Sequence, residues 1–343
     1  MRIAVIFDGV SALGKSPDLR ILHAVEAIEM ALVDDGHEAV RVPVGPDGRW
    51  MERLRRARLD VVFNLCEGLD GVSALEPAVI GVLELLGIPY TGSSCAATSL
   101  CLRKHLVNTL LDRAGLPVPR WGVVRPGGSI PAVGFPAICK PAAEDGSLGV
   151  EQRSVVRTGR ALAERVDAMH TLWDEVLVQR FIDGREVNVG IVGDQVLPIS
   201  EVNFAAMPRG MWRIVSYRSK WEDGSDEDRG SVPQCPADLP SELVAELGGI
   251  AVAAWRLVGG DGYGRVDLRI DRSGRPWVLE VNANPDAAPD AGLARMALAA
   301  GIDYTELVRM IVAGALGARR DASMPTDEHW MLSQRLSGVP AGW

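Results

Sequence analysis

The stretch Gly264-Arg-Val-Asp-Leu-Arg-Ile-Asp-Arg-Ser-Gly-Arg-Pro-Trp-Val-Leu-Glu-Val-Asn282 decides the fold. Two alternating apolar runs flank the turn sequence Asp271-Arg-Ser-Gly274, so it predicts a hairpin of strands over 264–270 and 276–282. Period-2 alternation puts Arg265 and Asp267 on one face of the first strand, and Glu280 and Asn282 on one face of the second. If Asp271 pairs with Pro276, Asp267 lies opposite Glu280 and Arg265 opposite Asn282. Two carboxylates and an amide oxygen then stand beside one arginine. Completed by phosphate oxygens and water, such a set suits magnesium. A solvent-facing salt bridge would explain one such pair. Two pairs in register, flanked by Leu268, Leu279 and Val281, favour the metal.

Working outward, the apolar strand Phe135 to Cys139 ends on Lys140 and enters Pro141-Ala-Ala-Glu-Asp-Gly-Ser-Leu-Gly149, a glycine-bearing loop whose amides can close over phosphate. Lysine is scarce: of 36 basic residues only Lys15, Lys104, Lys140 and Lys220 are lysines. Lysine is a compact point charge suited to phosphate oxygens and arginine a planar fork, so each lysine is a candidate phosphate contact. Codon usage and a solvent-facing Lys140 are the plain alternatives.

The first hundred residues alternate strands (2–7, 37–42, 60–65) with helices (18–33, 74–86), the last closed by Gly87, as in a parallel α/β unit. A second unit begins near Ser99 with a helix carrying Lys104. It holds strands at 121–124, 137–140 and 175–180 and a helix at 160–170. A third, from 181, has strands at 186–192 and 195–201, the hairpin, and helices at 241–258 and 304–317. The expected domains are therefore 1–98, 99–180 and 181–318. The acidic stretch 222–230 reads as a mobile loop that cannot bury itself, and 319–343 as a polar tail pinned by Trp330 or Trp343.

A Walker A match, Gly9-Val-Ser-Ala-Leu-Gly-Lys-Ser16, follows the first strand. Pro17 argues against it, because it pushes Ser16 out of the helical region where a P-loop helix should already be running. Ser16-Pro17-Asp18 instead makes a good helix start, with the serine hydroxyl occupied by helix amides. No later strand ends in a convincing Walker B aspartate. A P-loop NTPase using Lys15 is kept as an alternative.

The length of 343 residues, with 47% hydrophobic and 24% charged residues, implies two or three globular domains. No apolar run approaches the roughly 18 residues of a membrane helix, and Ile3 to Phe7 is too short for a signal peptide. The expected address is cytoplasmic, without a membrane partner. With 45 acidic against 36 basic residues the net charge is -9, which disfavours nucleic acid. The five cysteines, with no C-x-x-C pair, read as reduced thiols.

The order Lys104 helix, Phe135-Pro-Ala-Ile-Cys-Lys-Pro141 with its loop, Gly184-Arg-Glu186, Tyr217-Arg-Ser-Lys220, Gly264-Arg-Val-Asp267 and Leu279-Glu-Val-Asn282 resembles the ATP-grasp superfamily, and most of all the D-alanine:D-alanine ligase family. Leu83-Glu-Leu-Leu-Gly-Ile-Pro-Tyr-Thr-Gly-Ser-Ser94 is similar too. The resemblance spans about residues 1 to 318. It implies a three-domain α/β (α+β) ATP-grasp fold with a Rossmann-like parallel N-terminal domain, and ATP held between the central and C-terminal sheets. Lys104 and Lys140 would contact the α and β phosphates beneath the Gly146-Ser147 loop, and Lys220 the γ-phosphate. Gln179, Arg180, Phe181 and Ile182 would line the adenine and Glu186 would take the ribose hydroxyls. Asp267, Glu280 and Asn282 would hold magnesium, usually two ions, or manganese. Arg265 would stabilise the oxyanion of acyl transfer.

Five departures lie at the substrate end. Ser11 to Ser16 lacks the family's Glu-Val-Ser; the histidine-glycine becomes Cys66-Glu67-Gly68; a serine becomes Gly146; the loop tyrosine becomes Trp221; and Asn-x-x-Pro-Gly-Met becomes Asn282-Ala-Asn-Pro-Asp286-Ala. Together they favour a different substrate, with Glu67, Trp221 and Asp286 as candidate contacts. The expected function is an ADP-forming carboxylate:amine ligase for small amino-acid-like substrates, in a chain that forms a homodimer as such ligases often do. A genuine D-alanine:D-alanine ligase and an ATP-binding regulatory protein without turnover are the alternatives.

Overall fold

The computed structural model describes residues 1–9 and 19–317. Lys15 with the Walker-like segment 10–16, and the tail 319–343 with Trp330 and Trp343, lie outside the described residues.

The first layer is a parallel sheet of β1 (Arg2–Asp8), β2 (Glu38–Val44) and β3 (Val61–Asn64) in the order β2-β1-β3, flanked by α1 (Leu19–Asp34), α2 (Arg49–Arg56) and α3 (Glu76–Leu86). β1 is an unbroken apolar run because both its faces are covered. Ile3 and Val5 share a core with Val25 and Ile28 of α1, while Ala4 and Ile6 meet Trp50, Leu54, Ile80 and Leu83. Each of the valine, leucine and isoleucine side chains among them contributes about 1.5–3 kcal/mol on burial. Two helices, α4 (Cys95–Cys101) and α5 (Lys104–Arg113), lead out of this layer.

An antiparallel sheet follows, built from β4 (Trp121–Val124), β5 (Ala137–Pro141), β6 (Val155–Val156) and β7 (Val176–Arg180) in the order β4-β7-β5-β6. Helix α6 (Gly159–Met169) covers one face, packing Leu162, Val166 and Met169 on Ala137, Cys139, Val176 and Val178. By period 2, Ile138, Lys140 and Gln179 point the other way, and all three line a cleft.

The third sheet has β8 (Gly184–Val192), β9 (Gln195–Val196), β10 (Ser200–Asn203), β11 (Val232–Gln234), β12 (Tyr263–Asp271) and β13 (Pro276–Asn282), in the order β11-β10-β8-β12-β13 with β9 on β8. Between β10 and β11 lie α7 (Tyr217–Trp221) and α8 (Asp226–Arg229); α9 (Ser241–Leu257) packs behind the sheet, and α10 (Gly292–Ala299) and α11 (Tyr304–Gly317) close the described chain. The core around α10 and α11 joins Ile3 and Phe63 of the first sheet to Val192 of the third and to Leu197, just after β9. Among the described residues no helix is long and apolar enough to cross a membrane.

Two expectations are corrected. The single strand expected over 195–201 is split into β9 and β10 around Pro198, which has no N–H for the ladder. The stretch 222–230 is ordered into α8 and does bury a carboxylate. Ser225 caps α8 by accepting from Asp228 N, and Glu227, 2% exposed, accepts from the Ser216 hydroxyl. Local hydrogen bonds, which composition does not reveal, supply what its acidity seemed to forbid.

Candidate active site

The β12–β13 hairpin carries the expected pairs by a route the sequence did not show. Ile270, not Asp271, pairs with Pro276, and the offset persists to Leu268 opposite Val278. A β-bulge at Leu279 then shifts the register, so Asp267 faces Glu280 and Arg265 faces Asn282. It also breaks the alternation: Leu279 and Glu280 both line the cleft. Gly264 precedes the cluster because Trp255 lies against it; a Cβ there would meet Trp255 Cζ3 at 2.3 Å.

Asp267, 8% exposed, is the hub. Arg265 grips it with Nε to Oδ1 at 2.7 Å and Nη2 to Oδ2 at 2.9 Å. Asn188 Nδ2 donates to Oδ1 at 2.7 Å and Asn282 Nδ2 to Oδ2 at 3.0 Å. Burial alone would lower the Arg265 pKa, but Asp267 outweighs it and holds the guanidinium charged. Asn282 points its amide nitrogen at Asp267; turned over, the amide presents its oxygen instead. The donor set is then two carboxylates and an amide oxygen, all hard, which fits magnesium or manganese. Among the described residues no group of three His, Cys, Asp or Glu side chains is gathered for a metal, so this set needs phosphate and water oxygens to complete a coordination shell.

Glu280 gathers the lysines. Burial would raise its pKa, yet Lys104, Lys140, Lys220 and Arg265 outweigh that and hold it at about 2. Lys104 Nζ lies 3.5 Å from Glu280 Oε2 and 3.3 Å from Asp145 Oδ1, and also donates to the Glu144 carbonyl. Burial pushes the Lys140 ammonium down, opposed by Glu280. Lys104, Lys140, Lys220, Arg265, Asp267 and Glu280 all line one cavity of about 220 Å³ between the second and third sheets. The loop between β5 and β6 closes over it. Gly146 and Ser147 both have a φ of 61°; Ser147 Oγ donates to the Val215 carbonyl at 3.0 Å, and Trp221 Nε1 to the Gly146 carbonyl at 2.8 Å.

Gln179, Arg180, Phe181, Ile182 and Glu186 line the same cavity. Glu186 faces Arg269 across β8 and β12, and Arg269 Nη2 and Nε reach Glu186 Oε2 at 2.6 and 3.1 Å. Arg269 Nη1 also donates to the Ile182 carbonyl at 2.8 Å, tying the 179–182 segment to β12. Sequence reading missed Arg269 and Asn188. Both were legible by carrying period 2 one step further, from Arg265 and Asp267 to 269 and from Glu186 to 188.

The three tentative substrate contacts do not line this cavity. Trp221 sits on Gly146; Glu67 and Asp286 are exposed residues near Tyr263. Asp286 Oδ1 accepts from Ala288 N at 2.8 Å. Two further residues there had no sequence signal. Asn284 accepts from Tyr263 Oη at 2.7 Å and donates to Glu76 Oε1 at 3.2 Å, and Glu76, at the start of α3, is 5% exposed. Burial, Asp145 and Glu67 push the Glu76 carboxyl well above the usual carboxylate range.

Two antiparallel sheets enclosing a lysine-lined cleft, with a glycine loop on one sheet and an Asp/Glu/Asn face on the other, define an ATP-grasp enzyme, by class an ADP-forming ligase. Residues 110–313 match the family described as D-ala D-ala ligase C-terminus. The chain is 34% identical over 320 residues to a D-alanine–D-alanine ligase of Gluconobacter oxydans, covering 92% of this chain and 99% of that one. It is 35% identical over 319 residues to that of Halorhodospira halophila, covering 92% and 96%. The crystal structure of the D-alanine–D-alanine ligase from Bacillus anthracis superposes with a TM-score of 0.77 at 26% identity, over 94% of this chain and all of that one. The chain belongs to the D-alanine–D-alanine ligase family.

Proposed function

We propose that this chain is an ATP-dependent, ADP-forming carboxylate–amine ligase joining small amino-acid-like substrates, with three units, 1–98, 99–180 and 181–318, meeting at the cleft. The observation that carries this reading is the convergence of Lys104, Lys140, Lys220 and Arg265 on Glu280 beside Asp267. Four cations around one carboxylate match a polyphosphate accompanied by a divalent cation.

In this reading Lys104 and Lys140 hold the α and β phosphates, with Gly146 and Ser147 above them, and Lys220 meets the γ-phosphate. Gln179 to Ile182 take the base, and Glu186, oriented by Arg269, the ribose. Asp267, Glu280 and Asn282 hold one or two magnesium ions, or manganese, whose charge would offset that of the phosphates. A substrate carboxylate oxygen attacks the γ-phosphorus and ADP leaves; a second substrate's amine then attacks the acyl carbon and phosphate leaves. Arg265, kept charged and fixed by Asp267, stabilises the oxyanion of that second step.

The acidic setting of Glu67, Glu76 and Asp286 around Tyr263 supports an ammonium-bearing substrate. D-Alanine heads the test panel because the relatives are named for it. The five departures support a different amino acid. The test is ADP release from magnesium-ATP across D- and L-amino acids, with mass analysis of products. We expect release to require an amino acid and to yield an amide-linked product; ATP binding without stimulated release by any of the panel would sink the ligase in favour of a regulatory role. A cytoplasmic homodimer completes the reading, checked by sedimentation.

A further inference from the structure

A loop that closes over phosphate gains nothing from an acid, yet this one carries Glu144 and Asp145. Glu144 Oε1 accepts from Trp173 Nε1 at 3.3 Å. Asp145 opens the turn Asp145-Gly146-Ser147-Leu148, in which Leu148 N donates to the Asp145 carbonyl at 3.0 Å and both central residues adopt left-handed backbone. Trp221 and the Val215 carbonyl anchor those two residues, so the turn is fixed. Asp145 lines the cavity with its side chain 42% exposed. Its Oδ1 lies 3.3 Å from Lys104 Nζ, and its Oδ2 has no partner among the described residues. Lys104, 6% exposed, is in turn divided among Asp145, Glu280 and the Glu144 carbonyl. When a polyphosphate takes Lys104, Asp145 becomes an unpaired carboxylate beside it, which is unfavourable unless another cation arrives.

Asp145 also stands on a border. On one side Lys104, Lys140, Lys220 and Arg265 surround Glu280; on the other is Glu76, which Asp145 repels. A molecule lying across that border meets cations at one end and carboxylates at the other. We propose that Asp145 takes the ammonium of the substrate whose carboxylate attacks the γ-phosphorus, exchanging Lys104 for the substrate's own cation. This rests on the reading of the chain as a carboxylate–amine ligase. The substrate carboxylate then faces the cations and its ammonium faces Asp145 and Glu76, so the first substrate is an amino acid with its amine close to its carboxyl rather than a plain carboxylic acid. Asp145 is thus a specificity-determining residue, and its exchange of partners couples nucleotide entry to amino-acid binding.

The test uses the full chain with magnesium-ATP and hydroxylamine as the amine, so that only the carboxylate-bearing substrate varies. The hydroxylamine nitrogen bonds to the acyl carbon, phosphate leaves, and hydroxamate is measured beside ADP. Each amino acid of the D and L panel is compared with the acid that has hydrogen in place of its ammonium, D-alanine against propionate first. Wild-type protein is expected to prefer the amino acid by about 10- to 100-fold in kcat/KM. Asp145→Asn should lose most of that preference through a raised amino-acid KM, and Asp145→Glu should recover part of it. Calorimetry should show ATP binding to Asp145→Asn at least as tightly as to the wild type, because an anion beside the phosphates has gone. A merely structural role would weaken nucleotide and amino acid together. Wild-type protein that uses the paired acids alike overturns the inference without any variant and leaves the ligase reading standing. So does an Asp145→Asn protein whose amino-acid KM is unchanged or whose ATP binding is weakened. A wild-type chain that releases ADP with none of these acids overturns both.

Discussion

Two glutamates withdrawn from solvent in this molecule have opposite fates. Glu280 stands among Lys104, Lys140, Lys220 and Arg265 and is held at about 2 despite its burial. Glu76 stands among Asp145 and Glu67, with Asn284 as its hydrogen-bond donor, and is pushed well above the usual range. Asp145 belongs to both settings, pairing with Lys104 while repelling Glu76. The difference teaches that burial pushes both carboxyls up and that the charges around each decide whether the push is reinforced or overturned. One half of the site gathers four cations around Glu280, ready for a polyanion. The other gathers anions, and an ammonium would relieve it.

That contrast breaks first at Lys140. Lys140→Ala removes one of the cations facing the polyphosphate, and ADP release is expected to fall by about 10²- to 10³-fold. Lys15→Ala, in the Walker-like segment, is expected to leave release unchanged. A coupled ADP assay on both variants checks this, and the reverse pattern would return the site to the P-loop reading.

A smaller effect is expected at the bulge. Leu279 lines the cavity only because the bulge sets two consecutive residues on the cleft face. Leu279→Ala is expected to weaken nucleotide binding about tenfold or somewhat more, from the lost apolar contact at roughly 0.8 kcal/mol per buried CH₂. The KM for the amino acid should not move. A shift in the amino-acid KM alone would place Leu279 in the wrong half.

How much of this was legible beforehand follows the same divide. The nucleotide half rests on strand periodicity, which a single sequence displays: Arg265, Asp267, Glu280 and Asn282 were aligned on one face, and Lys140 was placed at a strand's exit. Even there the right register came from an assumed turn pairing that the chain does not use, rescued by a bulge with no local signature. Arg269 and Asn188 obeyed the same period and were overlooked. The other half is built from loop ends of distant segments. Asn284 meets Glu76 across 208 positions of chain, and no periodicity announces such a contact. Nor does composition foresee that the acidic 222–230 segment folds, since its order comes from Ser225 capping α8 and from the Ser216 hydroxyl donating to Glu227.

The paired glutamates also predict opposite pH dependences of stability. Glu280, held at about 2 against an ordinary 4.5, stabilises the fold above pH 4.5, and that contribution is lost as pH falls toward 2. Glu76, raised above 4.5, has the reverse sign: its contribution is full below that value and fades as pH rises through the folded pKa. In thermal melts across pH, Glu280→Gln should flatten part of the acid loss, and Glu76→Gln part of the loss above pH 4.5, each by about 2 °C. Variants that both flatten the same limb would refute the opposition.

The finest test concerns protons taken up when nucleotide binds. Burial pushes the Lys140 ammonium below the ordinary lysine value, with Glu280 opposing. A polyphosphate beside it favours the charged form and raises that pKa again. At pH values between the free and bound pKa, binding must therefore draw in a fraction of a proton, most at the midpoint of the two. Calorimetric titration of ATP across the alkaline range, in two buffers of different ionisation enthalpy, reads this uptake directly. Lys140→Arg keeps the charge but cannot give up its proton in that range, so its uptake should vanish even where some affinity survives. Proton release by the wild-type protein, or equal uptake in the arginine variant, would mean that Lys140 does not face the phosphates.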